Sequence, residues 1–507
     1  MPPVAQPQEK RAGLAYWANR VLEECHRAAA GFAADPVHDL RVAIRRCRSM
    51  ADGFLSVDPD PAWKQMKRLA KPLFSSLGEL RDTQVMLEWV AKLSAPGDPL
   101  GEILSASLAQ KELALKAASH DALLAFDTGL WASLNAHLTG RGAKIPLEGL
   151  VFQHLALERW MDARELHRRA LRNRSGFAYH QLRIGIKRFR YTVENFLPHR
   201  HHRWSKDLRA LQDALGEVHD LDVLRAMIKT HPEVGDAECA HWQKRISEER
   251  QARLDLYRQL MLGKDSRWNI WRSELPEGEQ LAEAALEKLR TWASFLDPDP
   301  PHSTRVTQFA LQLYDGLSRC GAMTARPDDR RIVQAAAILH EVGRSQLNGH
   351  GGHQKRGKRM VSKLKPPIGW SEGEIGEVAL LVRYHRGVLP LGTHSPFVGV
   401  ATNRRSELLR LMGILRLANA FDGSHDGAVS SIKVERHTGF VVILGEGLRR
   451  LSENAQRVAE ERYLLDTTSR RALVIRPIAK RATTGSRTSR LPSKPQEPLD
   501  AAQPSNR

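Results

Sequence analysis

The sequence predicts a mainly α-helical protein: a two-repeat helical bundle, followed by an all-helical domain with a small β-containing appendage. Apolar residues recur at three- and four-residue intervals over 62–94, 102–138, 150–172 and 204–229, with few β-branched clusters. Two landmarks within the first 272 residues occur twice in the same order. Alternating β-branched runs gather near the end, around Ser431–Val434, Phe440–Leu444 and Ala472–Ile475, with a helix expected over 446–461 between them.

In chain order, residues 1–11 form an N-terminal segment, and two related helical halves cover about 12–145 and 146–272. Ser273-Glu274-Leu275-Pro276-Glu277-Gly278 has the proline and glycine of a boundary. A helix over 279–296 and the loop Asp297–Pro301 then open the second domain, 278–480. From about Arg481 to residue 507 the chain is rich in Ser, Thr, Pro and Arg and has no apolar period, so a disordered tail is expected.

The formal charge of +19 points to an acidic polymer as partner, because a field of one sign attracts polyanions. It divides as +4 over residues 1–300 and +15 over 301–507. A basic surface everywhere is therefore no explanation for the first half, where cations concentrate in two short segments. No stretch approaches the roughly 20 apolar residues of a membrane span, and MPPVAQPQEKRAGLAYW lacks a secretory layout, so the cytoplasm is the expected compartment. The four cysteines, Cys25, Cys47, Cys239 and Cys320, are too scattered for a disulfide framework or a thiol metal site.

The first landmark is His38-Asp39-Leu40-Arg41-Val42-Ala43-Ile44-Arg45-Arg46-Cys47-Arg48, which matches His180-Gln181-Leu182-Arg183-Ile184-Gly185-Ile186-Lys187-Arg188-Phe189-Arg190 in character. The second is Leu77-Gly78-Glu79-Leu80-Arg81-Asp82-Thr83-Gln84-Val85, matched by Leu215-Gly216-Glu217-Val218-His219-Asp220-Leu221-Asp222-Val223. On a helix with His38 as zero, Arg41, Arg45 and Arg48 fall at about 300°, 340° and 280°, opposite Leu40, Ala43, Cys47, Met50 and Phe54. His180, Arg183, Lys187 and Arg190 take the same angles, opposite Leu182, Phe189, Val193 and Phe196. Each stripe runs about 15 Å with one cation roughly every turn.

Like charges at these spacings repel, so an anion that neutralises them is favoured. Arginine suits that task because its fork engages two phosphate oxygens at once. One such stripe is ordinarily a solvated face. Two with one angular layout argue for a shared anion groove, to which Arg68, Lys71, Lys206 and Arg209 can supply further walls.

These paired motifs resemble the conserved histidine α-helical domain, CHAD, over about residues 12–272. The resemblance implies two four-helix halves around a basic channel that binds inorganic polyphosphate. His38, Arg41, Arg45, Arg48, His180, Arg183, Lys187 and Arg190 match the family's basic motif; Asp39 becomes Gln181 in the second copy, off the stripe.

Farther on, His302 opens a helix with Val306, Phe309, Leu313 and Leu317 on one face, and His340-Glu341 closes a helix over Ile332–Glu341. This resembles the HD superfamily, whose His, His-Asp and later Asp bind metal. With Leu311–Asp315, Ala337–Gly343, Arg383–Arg386 and Ile414–Asp422, residues 278–480 are more closely similar to the HD-like C-terminal domain of exopolyphosphatases and guanosine pentaphosphate phosphatases. Glu341 stands where the signature has aspartate, and Asn419 where the last aspartate belongs. Asp422, one turn on, is the compensating candidate. No cofactor is expected; if a divalent metal is held, His302, His340, Glu341 and Asp422 are its candidate ligands.

Gly352–Arg359 nearly spells a phosphate-binding P-loop but has Arg359 where Ser or Thr is needed, leaving an expected basic loop continuing to Lys363 and Lys365. The His199–Arg203 run is expected to be a charged interhelix turn. The leading expectation is a non-catalytic, cytoplasmic, granule-associated polyphosphate-binding protein, with a protein partner or self-association left open. Its rivals are a metal-dependent phosphohydrolase acting on polyphosphate or a phosphorylated nucleotide, and a nucleic-acid backbone binder. Few aromatics interleave with the stripe, which makes nucleic acid the less expected partner.

Overall fold

The computed structural model describes residues 13–229, 235–346, 352–390, 397 and 400–478. The N-terminal segment 1–11 and the tail 481–507 lie outside the described residues.

The first half begins with α1 (Leu14–Ala29) and α2 (Ala34–Phe54), then α3 (Ala62–Leu69), α4 (Lys71–Leu93), α5 (Pro99–Leu124) and α6 (Thr128–Gly142). The second repeats the plan with α7 (Leu150–Asn173), α8 (Gly176–Phe196), α9 (Pro198–Ile228), α10 (Asp236–Met261) and the short α11 (Arg267–Ser273). Helix starts have local causes: the side chains of Asp98, Asp127 and Ser175 accept from the backbone N–H groups of Gly101, Leu130 and Ala178. The Asp127 cap divides the stretch read as continuous over 102–138 into α5 and α6. The His199–Arg203 run is no turn but the first turn of α9, which Pro198 opens from a position where its missing N–H costs nothing.

Hairpins α1–α2 and α7–α8 lie together, and α2 meets α8 at Arg46, Ser49, Gly53 and Phe54. Leu40, Ala43, Cys47, Met50 and Phe54 share one buried core with Leu182, Phe189, Val193 and Phe196. The approach is closest at Gly53, where an added Cβ would sit 2.3 Å from the Phe196 ring. Phe196 stacks on Phe152 at 4.2 Å and meets Phe54 edge-on at 5.2 Å. Arg46 crosses from α2 to pair with Glu194 of α8 and donates to Asn195 Oδ1 at 3.0 Å. A second cluster joins the far ends of the repeats, with Trp89 and Leu100 from one and Leu224 and Trp242 from the other.

After Gly278, at φ +52°, come α12 (Gly278–Ser294), α13 (Pro300–Arg319), α14 (Asp329–Leu339), a 3₁₀ turn (Val342–Ser345), α15 (His353–Val361), α16 (Glu372–Tyr384) and α17 (Thr402–Phe421). The basic loop expected at Gly352–Arg359 is helical from His353 onward, with Gly352 in an extended conformation before it. β1 (Ser431–Arg436) pairs antiparallel with β2 (Phe440–Glu446), which pairs parallel with β3 (Ala472–Ile478). The crossover between β2 and β3 holds α18 (Glu453–Glu461) and α19 (Tyr463–Thr468). A helix from 446 was expected, but the strand runs through Glu446, and Gly447 at φ +89° turns the chain first.

α12 packs on α7, and Ile368 of the second domain lies against the core of the first. All four cysteines are free. Among the described residues no helix is long and apolar enough to cross a membrane.

Candidate functional site

The polar faces of α2 and α8 bound a cleft of about 650 Å³. Arg45, Arg48, Lys67, Arg159, Lys187 and Arg188 line it, against the single carboxylate of Asp52. Its floor is aromatic: Arg45 lies over Tyr191 at 5.4 Å, and Arg41 and Arg48 lie over Phe74 at 5.0 and 5.1 Å. Stacking holds the guanidinium planes while their N–H edges stay available. Arg41 also donates to the Phe74 carbonyl at 3.2 Å, and Arg48 to that of Lys67 at 2.8 Å. A Cβ on Gly78 would come within 2.7 Å of Arg41 Nη1, so the glycine of the second landmark leaves room for that guanidinium.

Arg46 and Arg190 pair with Glu194, yet among the described residues Arg41, Arg45, Arg48, Arg183 and Lys187 meet no carboxylate at ion-pair distance. The Nε atoms of Arg45, Arg183 and Arg190 are buried without a hydrogen-bond partner. Burial, then the charges of Arg183 and Arg45, push Lys187 down to about 7, against the pull of Asp220. Arg41 is lowered to about 10, chiefly by burial. Asp220 is raised to about 6 by burial, with Asp82 adding to it against Arg183. That five cations crowd together with no ion pair among the described residues is the cleft's main electrostatic fact.

Of the residues read from the sequence, Arg45, Arg48 and Lys187 line the cleft directly, while Arg41 and Arg183 lie near enough to depress Lys187. Arg190 donates to Gln212 Oε1 at 2.7 Å. His180 faces His219, nitrogen to nitrogen, at 3.2 Å, and burial followed by Arg183 holds it below its ordinary value. His38, Arg68, Lys71, Lys206 and Arg209 are exposed and outside the cleft's lining. Lys67, Arg159 and Arg188 were missed. Arg188 lies inside the second basic motif, whereas Lys67 and Arg159 enter from other helices and carry no signal in the repeat.

The second domain holds a separate buried centre. His302 comes from α13, His340 and Glu341 follow α14, His353 opens α15, and His385 ends α16. His302, His340 and His385 are 0 % exposed and Glu341 3 %. Two triads, His302–His340–Glu341 and Glu341–His353–His385, each bring their donor atoms within 4.8 Å and share the one carboxylate. His340 Nδ1 donates to the Ala337 carbonyl at 2.7 Å and His385 Nδ1 to that of Val382 at 2.8 Å, which leaves each Nε2 lone pair facing inward. Across the gap, Nε2 of His302 lies 3.3 Å from that of His340, and Nε2 of His353 3.3 Å from that of His385. Burial holds His340 neutral, down to about 4. Burial alone would raise Glu341, but His353, His340 and His385 more than offset it and keep the carboxyl ionised. In each triad, two imidazoles and the shared carboxylate fit a divalent cation.

Glu341 therefore reaches the centre in spite of its added methylene. Asp422 stands in neither triad: it accepts from His302 Nδ1 at 2.7 Å and pairs with Arg305, so it orients the histidine. Asn419 Oδ1 lies 3.1 Å from His302 Nε2. His353 was missed because it was read as part of a surface loop, while its helix turns it inward; His385 stood in the Arg383–Arg386 run but was not singled out as a ligand.

Two segments of the chain match known families. Residues 12–229 match the CHAD domain. The CHAD match ends within the bundle, whose core continues through α10 and α11 to Leu275. Residues 287–440 match domain III of the Ppx/GppA phosphatases. The crystal structure of the CHAD domain from the plant Ricinus communis is similar at 21 % identity, over 52 % of this chain and 91 % of that one, with a TM-score of 0.35. No curated protein matches the chain.

Proposed function

We propose that this protein binds inorganic polyphosphate in the cleft between α2 and α8. The observation that carries the proposal is one lining of six cations, three of them from the two stripes, against one carboxylate. A chain of phosphates supplies the charge that these side chains lack within the protein. Both matched families agree with a polyphosphate-related role. Tyr191 and Phe74 already lie beneath guanidinium groups, so the rings in this cleft are poorly placed to stack on nucleobases. Association with polyphosphate granules in the cell follows from the same reading.

The test is competition of long polyphosphate against RNA, DNA and short phosphates. Replacing Arg41, Arg45, Arg183 and Lys187 together by Ala should weaken long-chain binding by about a hundredfold at moderate salt, since each lost contact removes a counterion-release contribution. Unchanged affinity sinks the proposal, and RNA that competes equally moves the site to the nucleic-acid class.

The buried centre supports a second reading, a metal-dependent phosphohydrolase. A divalent cation held by His302, His340 and Glu341, or by Glu341, His353 and His385, would supply Lewis-acid activation of a phosphoryl group. Metal analysis of the purified protein, with phosphate release from polyphosphate, decides it. Stoichiometric zinc, manganese or iron, lost together with release in His340→Ala, establishes a hydrolase; protein without metal or release leaves binding alone.

A further inference from the structure

A second hollow, of about 400 Å³, lies where the two domains meet, and it shares the walls Asp52 and Arg159 with the cleft. The polar face of α2 leads from one into the other. Arg41, Arg45, Arg48 and Asp52 lie along one side of the helix, over about 17 Å. Beyond Arg48 that face supplies no cation, only Asp52, Leu55 and Ser56. There the second domain brings its own: Lys288 from α12, and Lys363 and Lys365 from the segment after α15.

The charges in this hollow do not cancel. Lys288 is spent on Glu158, at 2.8 Å, and Asp52 is paired with Lys67. Arg159 keeps only a distant partner, Asp162 at 3.7 Å. Lys363 and Lys365 are exposed and meet no carboxylate at ion-pair distance among the described residues. The wall that carries them is fixed to the first domain, because the N–H of Ile368 donates to Nε2 of the buried His154 at 3.0 Å. Three cations therefore line up past the end of the stripe, on a surface that neither domain makes alone.

We propose that this hollow is a second segment of the polyanion path, in which Arg159, Lys363 and Lys365 hold the part of a polyphosphate chain that extends beyond the cleft. The proposal rests on polyphosphate being the ligand of the cleft. It makes the second domain a contributor to binding whatever its own chemistry, and it gives the intact chain a preference for long polymers.

The experiment compares the full-length protein with its Lys363→Glu/Lys365→Glu variant, using tripolyphosphate and long-chain polyphosphate. The expected result is a long-chain affinity about tenfold lower and a salt slope shallower by about 1.4, at about 0.7 per lost contact, with tripolyphosphate affinity unchanged. Lys365 also acts on His154 and Glu158 at the join, so Lys363→Glu alone is the stability control. Lys363 is exposed and without an ion pair among the described residues, so that variant should leave the thermal unfolding midpoint unmoved while long-chain affinity falls. Long polyphosphate should also shield Lys363 and Lys365 of the wild-type protein from acetylation, and tripolyphosphate should not. Equal long-chain affinity with equal labelling overturns the extension and leaves the cleft standing. An equal loss for both ligands also overturns it, by placing the effect in the cleft. Failure of the wild-type protein to bind either ligand removes the cleft reading itself.

Discussion

Lys187 sets the pH behaviour of the cleft. Folded, it gives up its proton at about 7 instead of 10.5, so its cost to folding is complete below pH 7 and is relieved as pH rises toward 10.5. Stability should therefore climb over that window, and urea midpoints should show the climb abolished in Lys187→Met. Binding should run the other way. A polyanion restores the charge against Arg183, Arg45 and Arg41, so a proton is taken up and affinity falls above pH 7, approaching about tenfold per unit. Asp220, raised to about 6, adds a like-sign charge to the cleft as it ionises and steepens the loss. Lys187→Arg should flatten the profile; a profile unchanged by that substitution contradicts the assignment. Gly78→Ala probes Arg41 in the same way. Alanine favours the helix by up to about 1 kcal/mol, yet its methyl displaces the guanidinium, so polyphosphate affinity should fall while stability holds. The stripe cations were legible because a repeated motif at a helical period fixes direction as well as identity. Arg159 and Lys67 were not, since each reaches the cleft from a helix outside the repeated motif.

Among elements, the α2–α8 contact is the one on which the cleft depends. Gly53→Ala should cost about 1–3 kcal/mol, because Phe196 is held between Phe54 and Phe152 and has little room to yield. Phe196→Leu should recover part of that loss in a double-mutant cycle, and additive losses would show that the two residues do not meet. The apolar faces of these helices could be read from spacing alone. Helix starts were harder. His199–Arg203 and His353–Arg359 look like loops by composition, and in both a residue at the helix start, Pro198 opening α9 or Gly352 just before α15, settles the conformation more than the charges do. That error at α15 concealed His353, one of the five inward-facing groups of the buried centre.

At the scale of the whole molecule, the join between domains has its own pH limit. Burial, then Lys288 and Lys365, hold His154 down to about 4, so docking needs its neutral ring as acceptor for Ile368. Docking free energy is intact above pH 6.5 and is lost progressively as pH falls from 6.5 to 4, where only the undocked form takes the proton. Small-angle scattering should record expansion over that range, moved or abolished in His154→Gln. The two-part organisation was legible from the repeat and from the Pro/Gly boundary. The join was not, because His154, Lys288 and Ile368 belong to no motif and are brought together only by packing. Finally, Arg46 reaching to Glu194 and Asn195 stitches the two halves beside the cleft. If polyphosphate is the ligand, a cleft tied across its two halves has less to order than a flexible polymer, so the ordering entropy of association falls mainly on the polymer. Capture should then be governed by encounter, fast at low ionic strength, and release should proceed as a peeling from the free end, one phosphate after another.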